Sequence, residues 1–197
     1  MLEYHAQDNY NFDKEFKKIS EILSQECTDI KEDINLNWKE DKDILFDMIL
    51  FKNAPNVKCI TSEFLSKKLY KNEEEKKLLE CILKSNLSIY KILKNYDNGF
   101  IEIQDMLTNK KIKIMDVASS LGLNNNVYMI NRIISYNGIS FGTGINLISK
   151  DDNKEIEFYL KNKTRNKSKI TIIMELREII NNVNKNRSLS FFQHYYN

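Results

Sequence analysis

Apolar and polar residues alternate along this chain with two different periods, and the change of period divides it. Phe12, Phe16, Ile19, Leu23, Cys27, Ile30 and Ile34 recur every three or four residues. That is the stripe of one long amphipathic helix, capped by Asn11 or Asp13. Asp41 to Phe51 reads as a second helix with Ile44, Leu45, Met48 and Ile49 inward, ended by Asn53-Ala54-Pro55-Asn56 because proline cannot continue a helix. Thr61 or Ser62 caps a third helix through Tyr70, with Phe64, Leu65 and Leu69 inward. Asn72-Glu73-Glu74-Glu75 opens a fourth with the spacing of a capping box, and Leu78, Leu79, Ile82 and Leu83 form its apolar face.

At Ser88 the period drops to two. Ser88 to Asn95 is rich in β-branched and aromatic residues and predicts a strand. Asp97-Asn98-Gly99 follows as a hairpin turn. In the return strand, Phe100 to Leu107, Ile101 and Ile103 alternate with Glu102 and Gln104, so one face is buried and the other wet. Thr108-Asn109-Lys110 turns again into Lys111-Ile112-Lys113-Ile114, with the isoleucines inward. Leu121 to Asn126 reads as a loop, Val127 to Tyr136 as a fourth strand and Asn137-Gly138 as a second hairpin turn. Ile139 to Ile148 is a fifth strand, interrupted by Gly142-Thr143-Gly144, where glycines mark a bulge or bend. Such a meander curls into a small barrel and so limits its exposed edges.

Past the meander, Glu155 to Leu160 either adds a sixth strand or begins a helix. Asn162 to Ser168 is a basic linker. Ile172, Ile173, Leu176, Ile179, Ile180 and Val183 mark a C-terminal helix. The aromatic stretch Leu189 to Tyr196 either docks on the body, as we expect, or is a peptide offered to a partner.

Ile60 to Leu65, Leu78-Leu79-Glu80, Ser88-Ile89-Tyr90-Lys91-Ile92, Ile103 to Asn109 and Asp116 together resemble a group of bacterial proteins related to those with an SEC-C zinc motif. In that group a helical segment precedes S-Y-x-V, a glycine turn, D-L-L-T-G and a downstream Asp. The resemblance spans roughly Phe46 to Ile148. Here Asn109 stands at the usual glycine, and the cysteine-rich zinc motif is missing. The group has no agreed activity, so the resemblance implies fold rather than function.

Composition narrows the classes. A chain of 197 residues with 42% hydrophobic and 29% charged residues is long enough to bury a core and has the balance of a soluble globular protein. No apolar run reaches membrane-spanning length, and Met1-Leu2-Glu3-Tyr4-His5 opens no secretion signal. Cys27, Cys59 and Cys81 are odd in number and widely spaced, as in a reducing cytoplasm. Net charge is +2 but uneven: residues 1–50 hold 13 acids and 6 bases, and residues 163–197 hold 2 acids and 7 bases. These ends either pair with each other or are solvated, or the basic end is an interaction tail.

Candidate chemistry is sparse. Asp43 and Asp47, at i and i+4, read as a solvated helix face rather than a metal pair, because nothing nearby completes such a site. Trp38 reads as a core anchor. The acidic fourth helix would face phosphates badly, which argues against a helix-turn-helix. His5 and His194 lie near opposite ends, and no zinc spacing, phosphate loop or nucleophile elbow is present. Asp105, Asp116 and Arg132 are the polar residues that the meander holds, as ties between strands and turns or as a small barrel cleft.

The sequence therefore predicts an α+β protein in three regions. Residues 1–86 are helical, 87–162 form the antiparallel meander or barrel, and 163–197 hold a basic linker, a helix and an aromatic tail. The expected function is non-enzymatic, without cofactor or metal, in the bacterial cytoplasm. The first expectation is a protein partner anchored by Phe191, Phe192, Tyr195 and Tyr196. The alternative is nucleic acid, bound by Lys163, Arg165, Lys167 and Lys169 and by Tyr90, Tyr96 and Phe100 with Lys91 and Lys94 on the barrel. No membrane partner is expected.

Overall fold

A computed structural model describes residues 47, 50–51, 59–96, 98–122, 125–143, 147–149 and 153–195. The long N-terminal stripe with Cys27, Trp38, Asp43, His5 and Tyr196 lie outside the described residues. The architecture is α+β. Helices α1 (Ile60–Ser66) and α2 (Glu73–Lys84) lead into strands β1 (Asn86–Tyr96), β2 (Phe100–Asp105) and β3 (Lys111–Met115). A short helix, α3 (Val117–Gly122), then precedes β4 (Tyr128–Tyr136), β5 (Ile139–Gly142) and β6 (Leu147–Ile148). Helices α4 (Lys154–Asn162) and α5 (Lys169–Tyr195) end the chain. Among the described residues no helix is long and apolar enough to cross a membrane.

The strands run in the order β1-β2-β3-β5-β4-β6, and β1 also pairs with β4, which closes the first five into a barrel. β1–β2 and β2–β3 are antiparallel, whereas β3 and β5 are parallel. A short helix, α3, stands between β3 and β4. The chain forms two compact units, Met1–Leu87 with Arg132–Ile139, and Ser88–Asn131 with Ser140–Asn197. β4 passes from one unit into the other.

Local chemistry explains the elements. Both Asn-Gly pairs sit at hairpin tips. Asn137 (φ 49°) and Gly138 (φ 79°) are both left-handed, as a two-residue hairpin turn requires. Tyr96 pairs with Phe100 across the other turn, and Gly99 there has φ 79°. Asn109 is left-handed too (φ 60°), which is why a glycine position accepts asparagine. The expected capping box of α2 is half formed: Asn72 Oδ1 accepts from the Glu75 amide at 2.8 Å, whereas Glu75 reaches past the cap to the Lys71 amide.

Several expectations are corrected. The cap of α1 is Cys59, whose Sγ accepts from the Ser62 amide, because the Thr61 hydroxyl is donated instead to the Leu50 carbonyl at 2.6 Å. Lys68 turns left-handed and ends α1 early, so Leu69 leaves the helical stripe and is exposed. Part of the expected loop at Leu121 to Asn126 belongs to α3, which starts earlier at Val117. Glu155 to Leu160 is helical, because Ile156 and Tyr159, three apart, are its buried pair. α5 begins at Lys169, where Ser168 accepts from the Thr171 amide, and runs on to Tyr195 since no Gly or Pro interrupts it. The aromatic segment is therefore a continuation of a helix in its backbone.

The alternation in β2 and β3 sorts inside from outside. Ile101, Ile103 and Ile114 are fully buried, Glu102 and Gln104 half-buried, and Lys111 and Lys113 exposed. Replacing Ile103 or Ile114 by Ala should destabilise by about 2–5 kcal/mol, the cost of emptying a packed site. Replacing Glu102 or Lys113 should cost under about 0.5 kcal/mol. Urea titration of the four variants checks this, and equal effects from the two pairs would show that the faces are reversed.

Candidate functional site

Cross-strand register assembles the outer face of β1–β3 from three rows. Tyr96 pairs with Phe100 and Phe100 with Met115; Lys94 with Glu102 and Glu102 with Lys113; Lys91 with Gln104 and Gln104 with Lys111. A register shift between Ile92 and Lys94 keeps Lys94 and Lys91 on the same side. Residues directly opposite are near enough to interact. Lys113 Nζ lies 4.6 Å from the centre of the Tyr96 ring and 4.9 Å from that of Phe100, and Lys94 Nζ 4.9 Å from Tyr96. The Tyr96 hydroxyl donates to Glu102 Oε2 at 2.9 Å, which pushes the phenol above its ordinary range. Lys94, Lys111, Lys113 and Met115 are exposed, and Tyr96 and Phe100 half-exposed. The face thus offers two neighbouring rings beside cations, with Glu102 the one acid in the rows. It can stack planar groups and neutralise anions.

Two of the five barrel residues proposed from sequence do not join this patch. Tyr90 is buried. Lys91 turns to α4, where its ammonium meets Glu157 at 3.2 Å and the Tyr128 ring at 5.3 Å. Lys113, which sequence reasoning did not select, completes the patch. Its signal was the alternation of Lys111-Ile112-Lys113-Ile114, which puts both lysines on one face.

Asp105, Asp116 and Arg132 are each engaged in local ties. Asp105 Oδ1 accepts from the Leu107 and Thr108 amides at the turn after β2. Asp116 caps α3, accepting from the Ser119 amide and hydroxyl. Arg132, fully buried, is bidentate to Asp47 (2.9 and 2.8 Å), donates to the Ser85 carbonyl and lies over the Phe51 ring. Asp47 is itself fully buried, which overturns its reading as part of a solvated face. A cation inside the apolar run Met129 to Ile134 needed an acid, and that acid lies 85 residues upstream, beyond the reach of any local pattern.

The basic segment divides. Lys163 and Arg165 are exposed in the turn after α4, and Lys169 is exposed at the start of α5. Lys167 instead holds Glu175 at 2.6 and 2.7 Å, its ammonium 5.4 Å from the Tyr159 ring. Phe191, Phe192, His194 and Tyr195 lie on the α5 backbone; the positions of their side chains are outside the described residues. Charge is uneven between the units: the unit containing β1–β3, α4 and α5 carries 15 bases and 10 acids, whereas the other carries 15 bases and 18 acids.

The chain belongs to a family of unknown function (DUF7986), whose model matches residues 2–192. Nothing in that match links it to the SEC-C group that the Ser88 to Asp116 motifs resemble. No curated protein and no solved structure matches the chain.

Two outcomes test the internal pairs. Asp47→Asn should destabilise by about 3–5 kcal/mol, since it leaves a buried guanidinium uncompensated; a loss below about 1 kcal/mol in urea titration would mean that water reaches Arg132. The Tyr159 hydroxyl is pushed well above the ordinary tyrosine value of 10.0, by burial first and then by the facing Glu175 carboxylate. Although Glu175 faces that hydroxyl, no hydrogen bond of good geometry joins them. Above pH 10 the unfolded chain therefore loses this proton while the folded chain keeps it. Stability present below that value falls as pH rises. Urea midpoints between pH 8 and 11 should fall more steeply for the native chain than for Tyr159→Phe, and parallel profiles would contradict the assignment.

Proposed function

We propose that this protein is a non-enzymatic binder of single-stranded nucleic acid, acting in the bacterial cytoplasm through the outer face of β1–β3. The observation that carries this reading is the pair Tyr96 and Phe100, side by side across two strands, with Lys94 and Lys113 over their rings. Every base has a π-face and every nucleotide a phosphate, so adjacent rings flanked by cations suit a single strand without regard to sequence. A duplex hides its bases and would use only the lysines. The closed barrel's connectivity supports the reading as an analogy of fold. The expected protein partner rested on the aromatic segment after Leu189, and the ring-and-lysine face now outweighs it because its geometry is explicit.

The test is fluorescence anisotropy with labelled single strands of about 12 nucleotides, within the site sizes of such barrels. Tyr96→Ala should weaken binding by about 1–3 kcal/mol, the worth of one stacked base. Lys94→Ala and Lys113→Ala should each flatten the slope of log affinity on log salt by about one. Glu102→Gln should tighten binding, since it removes the acid between two lysines. No binding at low salt, or capture from lysate of a partner that survives nuclease and is lost on truncation after Ser188, would return the reading to a protein partner.

A further inference from the structure

The outer face of the barrel continues past the Tyr96 and Phe100 pair. Phe100 pairs with Met115, and Met115 pairs in parallel with Phe141 of β5. Residues paired on neighbouring strands point to the same face. Phe141 therefore faces outward with Met115, which is 45% exposed. Gly142 fixes the same phase: a Cβ there would meet buried Asn131, so that position faces inward and its neighbour outward. Tyr96, Phe100, Met115 and Phe141 thus form one row across β1, β2, β3 and β5, all within one compact unit. Three of the four are aromatic, and Phe141 is half-exposed like the other two rings.

The row has two unlike flanks. On one side lies the row of Lys94, Glu102 and Lys113, with Glu102 engaged by the Tyr96 hydroxyl. On the other side, at the hairpin tip, lies Val117, 59% exposed, its Cγ2 3.0 Å from where a Cβ on Gly99 would stand. A single nucleic-acid strand is divided in the same sense, with phosphates along one margin and base faces along the other. Laid across the β-strands, it puts phosphates over the lysines and bases on the rings. Laid along them, it meets one ring only. On β2, Phe100 is followed on the outer face by Glu102 and Gln104. On β1, Tyr96 is preceded by Lys94 and then by Lys91, which Glu157 holds.

We infer that a single strand crosses the barrel between β1 and β5, at right angles to the β-strands, and that Phe141 is a further base-stacking residue at the far end of the row. The inference rests on the reading of the β1–β3 face as a nucleic-acid surface, and it adds direction, extent and a terminal contact. Adjacent strands lie about 4.8 Å apart, so the row's three gaps make roughly 14 Å. A stacked strand advances about 3.4 Å per nucleotide, which gives a site of about five nucleotides. That length falls at the low end of the site sizes of single-strand binders.

The experiment measures anisotropy for labelled single strands of about 2 to 8 nucleotides, which bracket that length. It uses the native chain, Tyr96→Ala, Phe141→Leu and Phe141→Tyr. Circular dichroism and melting temperature establish that each variant is folded. Native affinity should climb with each added nucleotide up to about five. Phe141→Leu should weaken strands of that length or longer by about fivefold to a hundredfold, the worth of one stacked base. Phe141→Tyr keeps the ring and should bind as the native chain does. Tyr96→Ala should weaken binding as well. A second measurement needs no variant: a strand with one halogenated base, moved a position at a time, is photo-crosslinked to the native chain. It should label the peptide of Tyr96 and Phe100 from one end and that of Phe141 from the other. If Phe141→Leu matches the native chain at every length, or no crosslink reaches the Phe141 peptide, while Tyr96→Ala is weakened, the crossing falls and the reading of the β1–β3 face stands. If the native chain binds no length, both fall.

Discussion

The structure depends on one strand serving two neighbours. β1 pairs with β2 from Tyr90 to Tyr96, and at Ile92 it also exchanges backbone hydrogen bonds with the residues that lead into β4: its amide donates to the Val127 carbonyl at 2.9 Å, and the Asn126 amide donates back at 2.8 Å. The register shift just after Ile92 is what lets one strand bend between two partners. Without that bend the sheet stays open and its edges unpaired. With it, Ile92, Ile101, Ile103 and Ile114 are fully buried, and the residues that alternate with them, Glu102 and Gln104 in β2 and Lys111 and Lys113 in β3, look outward. Closure also leaves little room. A side chain at Gly142 would place its Cβ 2.5 Å from the side-chain amide nitrogen of buried Asn131, so any other residue there requires Asn131 to shift.

The strands and turns were legible because their causes are local. Alternation placed Ile101, Ile103 and Ile114 inside, and Asn-Gly placed two hairpin tips. What stayed hidden depends on contacts remote in sequence. Asp47 and Asp43 looked alike as surface acids until Arg132 was brought to one of them. Cys59 displaced Thr61 as a cap only because Leu50 supplied a carbonyl for the threonine. Glu155 to Leu160 has a pattern that suits a strand as well as a helix, and burial of Ile156 and Tyr159 decided between them.

The candidate site was legible in kind and only partly in membership. Sequence shows where cations are but not which are already neutralised. Arg132 is committed to Asp47, Lys167 to Glu175 and Lys91 to Glu157, whereas Lys94, Lys113, Lys163 and Arg165 remain on the surface. The acid at Glu102 keeps the barrel face from being a plain cationic stripe, and through the Tyr96 hydroxyl it holds one ring in place.

The row structure of β2 and β3 has a consequence for how this protein can change by inheritance. Side chains alternate with a period of two, so the surface lysines and the core isoleucines of β3 are one position out of phase. Exchanging Lys111 or Lys113 for another polar residue leaves the fold alone and adjusts only what the face presents. Inserting a single codon between Ile112 and Lys113 turns Lys113 inward and Ile114 outward, converting a change of surface into a change of core. Along this strand the reading frame of the pleat is guarded more strictly than the identity of the letters facing water.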